Sequence, residues 1–205
     1  MKLARNEIAA LALALGGLAL MWLLTREVGN LWYRLAIFYA ALVPASLLLV
    51  KLDWKSLFKF KPLHALWGVI AAAVLYGAGM VGAWLIRAIW PDGGDAIDRV
   101  YGMLADKPGW QIWPLLAWII AGEEIVWRQA ATQPFVARLK YWAAPLGGVL
   151  FMLVHLPWAP PLLCLASLVF GTAWSWMAIR TKSFWPPFIS HFLWDVLVMF
   201  AAKLD

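Results

Sequence analysis

Cysteine occurs once in this chain of 205 residues, at Cys164. A single thiol excludes an intrachain disulfide, and its place in an apolar run gives no reason to assign it as a nucleophile. Charge is also scarce: Asp, Glu, Lys and Arg make up 14% of the residues. There is no internal repeat, no low-complexity linker and no stretch that reads as a soluble domain. No His-Glu-x-x-His occurs, which removes the zinc-protease signature, and no Gly-x-Ser-x-Gly elbow occurs, which leaves Ser190 as merely the neighbour of His191.

Apolar residues take the place of charge. They form 64% of the chain, and mean hydropathy is +0.76. They are grouped in runs near 20 residues. At about 1.5 Å rise per helical residue, such runs match a hydrocarbon layer of about 30 Å. The polar–apolar alternation of barrel strands is missing. The fold class read from these features is all-α, a polytopic transmembrane helical bundle of about seven spans. The spans are Ile8–Leu24, Leu31–Val50, Ala65–Trp90, Trp110–Arg128 with a continuation, Ala143–Leu156, Pro161–Ile179 and Phe184–Ala202. Residues 1–205 form a single membrane domain. Many of the 16 tryptophans, such as Trp22, Trp54, Trp90, Trp110 and Trp142, stand near run ends, where interfacial anchors belong.

The net charge of +6 does not indicate nucleic acid, because the basic residues sit in short loops between apolar runs. Lys2 and Arg5 place the N-terminus in the cytoplasm, ahead of a retained signal anchor that lacks a clean cleavage site. Lys51, Lys55, Lys59 and Lys61 mark the next inner loop. Asp92, Asp95, Asp98 and Asp106 mark an outer acidic loop, in which Gly93-Gly94-Asp95 is read as non-helical. Arg138 with Lys140, and Arg180 with Lys182, face inward again. Arg26 and Arg34 blur the first outer loop, so the first span reads as a loosely attached anchor. His64, beside the lysine-rich loop, reads as interfacial. The compact chain looks like a bacterial inner-membrane protein.

Ionisable groups inside the apolar runs carry the functional signal, because a charge near the bilayer centre costs from about 2.5 to well above 10 kcal/mol. Ala121-Gly122-Glu123-Glu124-Ile125-Val126-Trp127-Arg128 places two carboxylates and a guanidinium in one such run. Glu124 and Arg128, four residues apart, share a helix face and read as an ion pair. Glu123 is turned about 100° away and has no partner on its own helix. In a dry site a carboxyl group approaches the proton affinity useful to a general base. Glu123 and His155 lie at similar distances on either side of the Arg138–Lys140 turn, so an antiparallel hairpin would bring them face to face, although Pro134 interrupts its first arm. His191 and Asp195, again four residues apart, add polar groups from the last span. Straight spans would put the two histidines at different depths, unless the Pro157–Pro161 turn dips into the bundle.

Glu-Glu-x-x-x-Arg at 123–128, Phe-x-x-x-His at 151–155 and His-x-x-x-Asp at 191–195, in this order on successive apolar helices, resemble the CAAX-protease and bacteriocin-processing family. These glutamate-dependent intramembrane proteases are also called the Abi family. The resemblance covers roughly Trp110–Ala202, the implied catalytic helical core. It implies that Glu123 with His155 activates water, that His191 and Asp195 stabilise the oxyanion or orient the water, and that Glu124 with Arg128 orders the site. Gln129 stands where many members have Gly. Asp195 stands where the prenyl-protein members have Asn; as a carboxylate donates no hydrogen bond to an oxyanion unless protonated, it is read as orienting His191.

Peptide hydrolysis needs an activated water, a proton for the leaving amine and donors for the oxyanion, and a carboxylate with two histidines meets all three needs. No cofactor is required; zinc held by Glu and His from three helices is the rival mechanism. By resemblance, the partners are the lipid bilayer and a membrane-associated protein or peptide: a sorting signal or a leader in preference to a CAAX-like tail. The alternative is non-enzymatic, a transporter or immunity-type protein with a buried polar path.

Overall fold

The computed structural model describes residues 3–201 and 203–204; Lys2 and Ala202, the first a topology signal and the second a span end, lie outside the described residues. No strand occurs among the described residues, and the chain is a bundle of helices. Its long elements are α1 (Arg5–Glu27), α2 (Leu31–Leu49), α4 (Pro62–Ile89) and α9 (Pro161–Thr181), with the single-turn α3 (Trp54–Leu57) between α2 and α4. These four long helices have the length and apolarity to cross a membrane. The other three sequence-predicted spans are helical too, but shorter. They are α6 (Ile112–Glu123), α8 (Ala143–His155) and α10 (Trp185–Val196); α6 and α10 run on into π turns at Glu124–Ala130 and Leu197–Ala201. The four-residue α7 (Val136–Leu139) precedes α8.

Three expectations need correction. The acidic stretch after Trp90 is a helix, α5 (Gly93–Met103), and its first turn includes Gly93 and Asp95. Gly93 starts it because a side chain there would meet the Ile86 carbonyl. The first span is not loosely attached: Ala10 and Met21 are fully buried, and Arg138 holds Glu7 with two hydrogen bonds of 2.7 Å, Nε to Oε1 and Nη2 to Oε2. Arg34 is not a loop charge. It is buried and donates from Nε to the Val28 carbonyl (2.9 Å) and from Nη2 to the Gly29 carbonyl (3.1 Å), closing the turn after α1. His64, at the lysine-rich loop, is buried within the protein, and its Nδ1 accepts from the Lys61 backbone N–H at 3.2 Å.

Packing also departs from a simple α6–α8 hairpin. The main partner of α8 is α9, and the main partner of α6 is α2. Gly148 decides the first pairing, since a β-carbon there would collide with Thr172 and the Leu168 carbonyl of α9. Gly122 decides the second: a β-carbon would stand 2.5 Å from the Tyr39 ring of α2. Close backbone approach across small residues is how apolar helices associate in a bilayer, where burial of hydrocarbon offers little drive. The core lies between α1, α2, α6 and its π turn, with Phe38, Tyr39, Leu116, Ile120, Val126 and Trp127 essentially inaccessible.

Candidate active site

Glu123 ends α6 and Glu124 begins the π turn. In that turn the hydrogen bonding shifts to the i→i+5 pattern, as in Ala131 N–H to the Val126 carbonyl at 2.8 Å. Such turns occur often at functional sites because they re-aim successive side chains. Here they send the two glutamates to opposite sides of one imidazole. Glu124 Oε1 lies 2.8 Å from His191 Nδ1, while Glu123 Oε2 lies 3.5 Å from His191 Nε2. Asp195 Oδ1, one turn along α10, is 3.8 Å from the same Nε2.

The expected Glu124–Arg128 pair is present, with Arg128 Nε 3.5 Å from Glu124 Oε1 and both side chains wholly buried. It is an ion pair without a hydrogen bond. No guanidinium nitrogen of Arg128 has a hydrogen-bond partner among the described residues. The guanidinium lies instead over the Phe151 ring, 4.0 Å from its centroid, where the ring quadrupole attracts it. Gln129, the departure from the family pattern, is also fully buried.

His155 closes the far end of α8. Its Nδ1 is 2.7 Å from the Phe151 carbonyl, a contact that only an N–H can make, so Nε2 is left as the acceptor. Helix length bears on the depth of the two histidines. With 13 residues, α8 rises only about 20 Å, less than the about 30 Å of hydrocarbon. The proline turn then covers His155: Trp158 packs on its ring at 5.0 Å and donates from Nε1 to the Val154 carbonyl at 3.2 Å.

Glu123, Phe151, His155, Trp158, His191 and Asp195 line one cavity of about 100 Å³. This is room for a few water molecules, whose share of liquid volume is about 30 Å³ each. Four of the predicted residues therefore converge on it, while Glu124 and Arg128 stand behind His191. Within the cavity, however, the ionic neighbour of Glu123 is His191 rather than His155. Among the described residues no three His, Cys, Asp or Glu side chains form a metal-ligating group.

Sequence reasoning missed two groups. Tyr39 of α2 stands within electrostatic reach of Glu123, and its hydroxyl accepts from Trp127 Nε1 at 3.0 Å. Trp174 of α9 lies flat on His191. Gly122 beside the glutamates hinted that another helix comes close, but nothing in the sequence named its residue. In a chain with 16 tryptophans, Trp174 carried no signal of its own.

No curated protein and no solved structure matches the chain. Residues 106–197, which include all six predicted site residues, match the Rce1-like family model, described as type II CAAX prenyl endopeptidase Rce1-like. The match covers less than half of the chain, and by it that segment is similar to the CAAX-protease family, a similarity that supports an intramembrane protease in an integral membrane protein.

Proposed function

We propose that the chain is a glutamate-type intramembrane endopeptidase, with its catalytic machinery in the helical core 110–202. The single observation that carries the reading is that both ring nitrogens of His191 face buried carboxylates, Glu124 at 2.8 Å and Glu123 at 3.5 Å, inside a cavity that also receives His155 and Asp195. Glu123 takes a proton from water, and the oxygen attacks the scissile carbonyl carbon. His191, its Nδ1 tied to Glu124, presents Nε2 towards the developing oxyanion and donates to it when protonated. Asp195 steadies that nitrogen. The proton on Glu123 passes to the leaving amine as the C–N bond breaks, with His155 Nε2 as the relay. Arg128 offsets the charge of Glu124. No step requires a metal.

The substrate is a membrane-associated protein segment, a sorting signal or leader in preference to a prenylated tail, and the enzyme acts in a bacterial inner membrane with its N-terminus in the cytoplasm. A transporter would spread its polar groups along a path across both leaflets. Their convergence on one cavity of water-molecule dimensions favours hydrolysis. The test is purified protein incubated with a library of lipidated and transmembrane C-terminal peptides, read by mass spectrometry. Cleavage by the wild type and none by Glu123→Gln is the expected result. No cleavage of any peptide by the wild type, with proton or ion flux in proteoliposomes, would overturn the reading.

A further inference from the structure

His191 has one short in-plane contact, Nδ1 to Glu124 at 2.8 Å. Its other two, Nε2 to Glu123 at 3.5 Å and to Asp195 at 3.8 Å, are too long to fix the ring by hydrogen bonding. One short hydrogen bond leaves an imidazole free to rock about it. Trp174 removes that freedom. Its indole lies 3.6 Å from the imidazole centroid with only 20° between the planes. Trp174 is itself 2% exposed, and its Nε1 donates to Ser190 Oγ at 3.2 Å, on the residue immediately before His191. The indole is thus anchored to the helix that bears the imidazole, and Phe170 and Trp194 pack around it at 6.0 and 5.9 Å.

We propose that Trp174 is a positioning residue: its flat face holds the His191 ring in the plane that keeps Nδ1 on Glu124 and Nε2 towards Glu123 and Asp195. The proposal rests on the reading of His191 as part of the proteolytic site and extends it to a residue outside every motif. A misplacement of about 1 Å costs a catalytic group as much as ~10²-fold in rate. Trp174, which also lines the cavity, therefore acts on turnover through His191.

The chain has only three histidines, His64, His155 and His191, so NMR of histidine-labelled protein in nanodiscs resolves each ring by single substitution. The indole ring current moves the His191 ring protons upfield. In Trp174→Leu they move downfield while the His64 resonances stay in place, and Trp174→Phe, which keeps an aromatic face, recovers part of the upfield shift. On a peptide that the wild type cleaves, Trp174→Leu lowers kcat by about 10- to 100-fold, and Trp174→Phe recovers most of it. Unmoved His191 resonances, unchanged kcat, or a Trp174→Phe variant as poor as Trp174→Leu would overturn the proposal. Should Trp174→Leu fail to fold, Ser190→Ala removes only the acceptor of the indole N–H, and the same downfield movement, in smaller degree, is expected. No cleavage of any peptide by the wild type would defeat the proteolytic reading while leaving the resonance test of the stacking intact.

Discussion

Glu124 and His191 are joined at 2.8 Å through Nδ1, with the carboxylate at 0% exposure. The contact fixes which face of the imidazole meets the cavity. It also splits the two adjacent glutamates between different tasks: Glu124 holds the histidine, and Glu123 stands on the opposite side of it.

The first expected outcome concerns Glu123. Glu123→Gln keeps the shape and removes the proton acceptor. Turnover falls by at least ~10²-fold, while the yield and thermal midpoint of purified protein stay near wild type. Near-normal cleavage by this variant would remove Glu123 from the role of base.

Glu124→Gln tests the link to His191. Loss of a residue that orients a catalytic imidazole costs on the order of 10⁴-fold in the best-studied triads. Because Glu124 acts through His191, the double variant Glu124→Gln/His191→Ala should be no slower than His191→Ala alone. Additive losses would mean that the glutamate works independently.

Arg128 is wholly buried and its partner is the equally buried Glu124. Removing one member of a buried pair destabilises a protein by about 3–5 kcal/mol. Arg128→Ala is therefore expected to melt well below Glu123→Gln in the same detergent, and an unchanged midpoint would show that the pair carries no structural weight.

Dialysis against a strong chelator separates the glutamate mechanism from a zinc one. Activity should survive it, and elemental analysis should find no stoichiometric zinc. Activity lost on chelation and restored by zinc would replace the mechanism while leaving the protease reading in place.

Glu7 and Arg138 make the clasp that fastens α1 to the turn before α8. Exchanging the charges, Glu7→Arg with Arg138→Glu, should restore the thermal midpoint that either single change lowers. Failure of the exchange to rescue would mean that these residues act through other neighbours.

Much of this arrangement was legible in the sequence, for identifiable reasons. Glu123, Glu124, Arg128, His155, His191 and Asp195 stood out because ionisable groups are costly in apolar helices, so their placement carried information. The seven helical segments were legible from apolar run length alone. Their pairing was not. Whether α8 packs on α6 or α9 is decided by the contour around Gly148, and hydropathy is blind to contour. Glu123 was paired with His155 by counting residues from a turn, which assumes straight, regular helices; the π turn at Glu124–Ala130 breaks that assumption. Tyr39 and Trp174 were invisible because aromatic residues fill every part of this chain, and only their positions distinguish them.

The brevity of α8 has a consequence for the lipid around it. Trp142 and Leu156, both exposed, bracket a helix that rises only about 20 Å, against about 30 Å of hydrocarbon. A bilayer that meets this edge thins locally to match it, at a cost of fractions of a kcal/mol for each ångström of mismatch. A fold that presents this edge to lipid is expected to respond to bilayer thickness. In vesicles made from phosphatidylcholines of graded chain length, turnover should rise as the bilayer thins towards the span of α8. A flat response across that series would show that neighbouring helices screen α8 from the lipid.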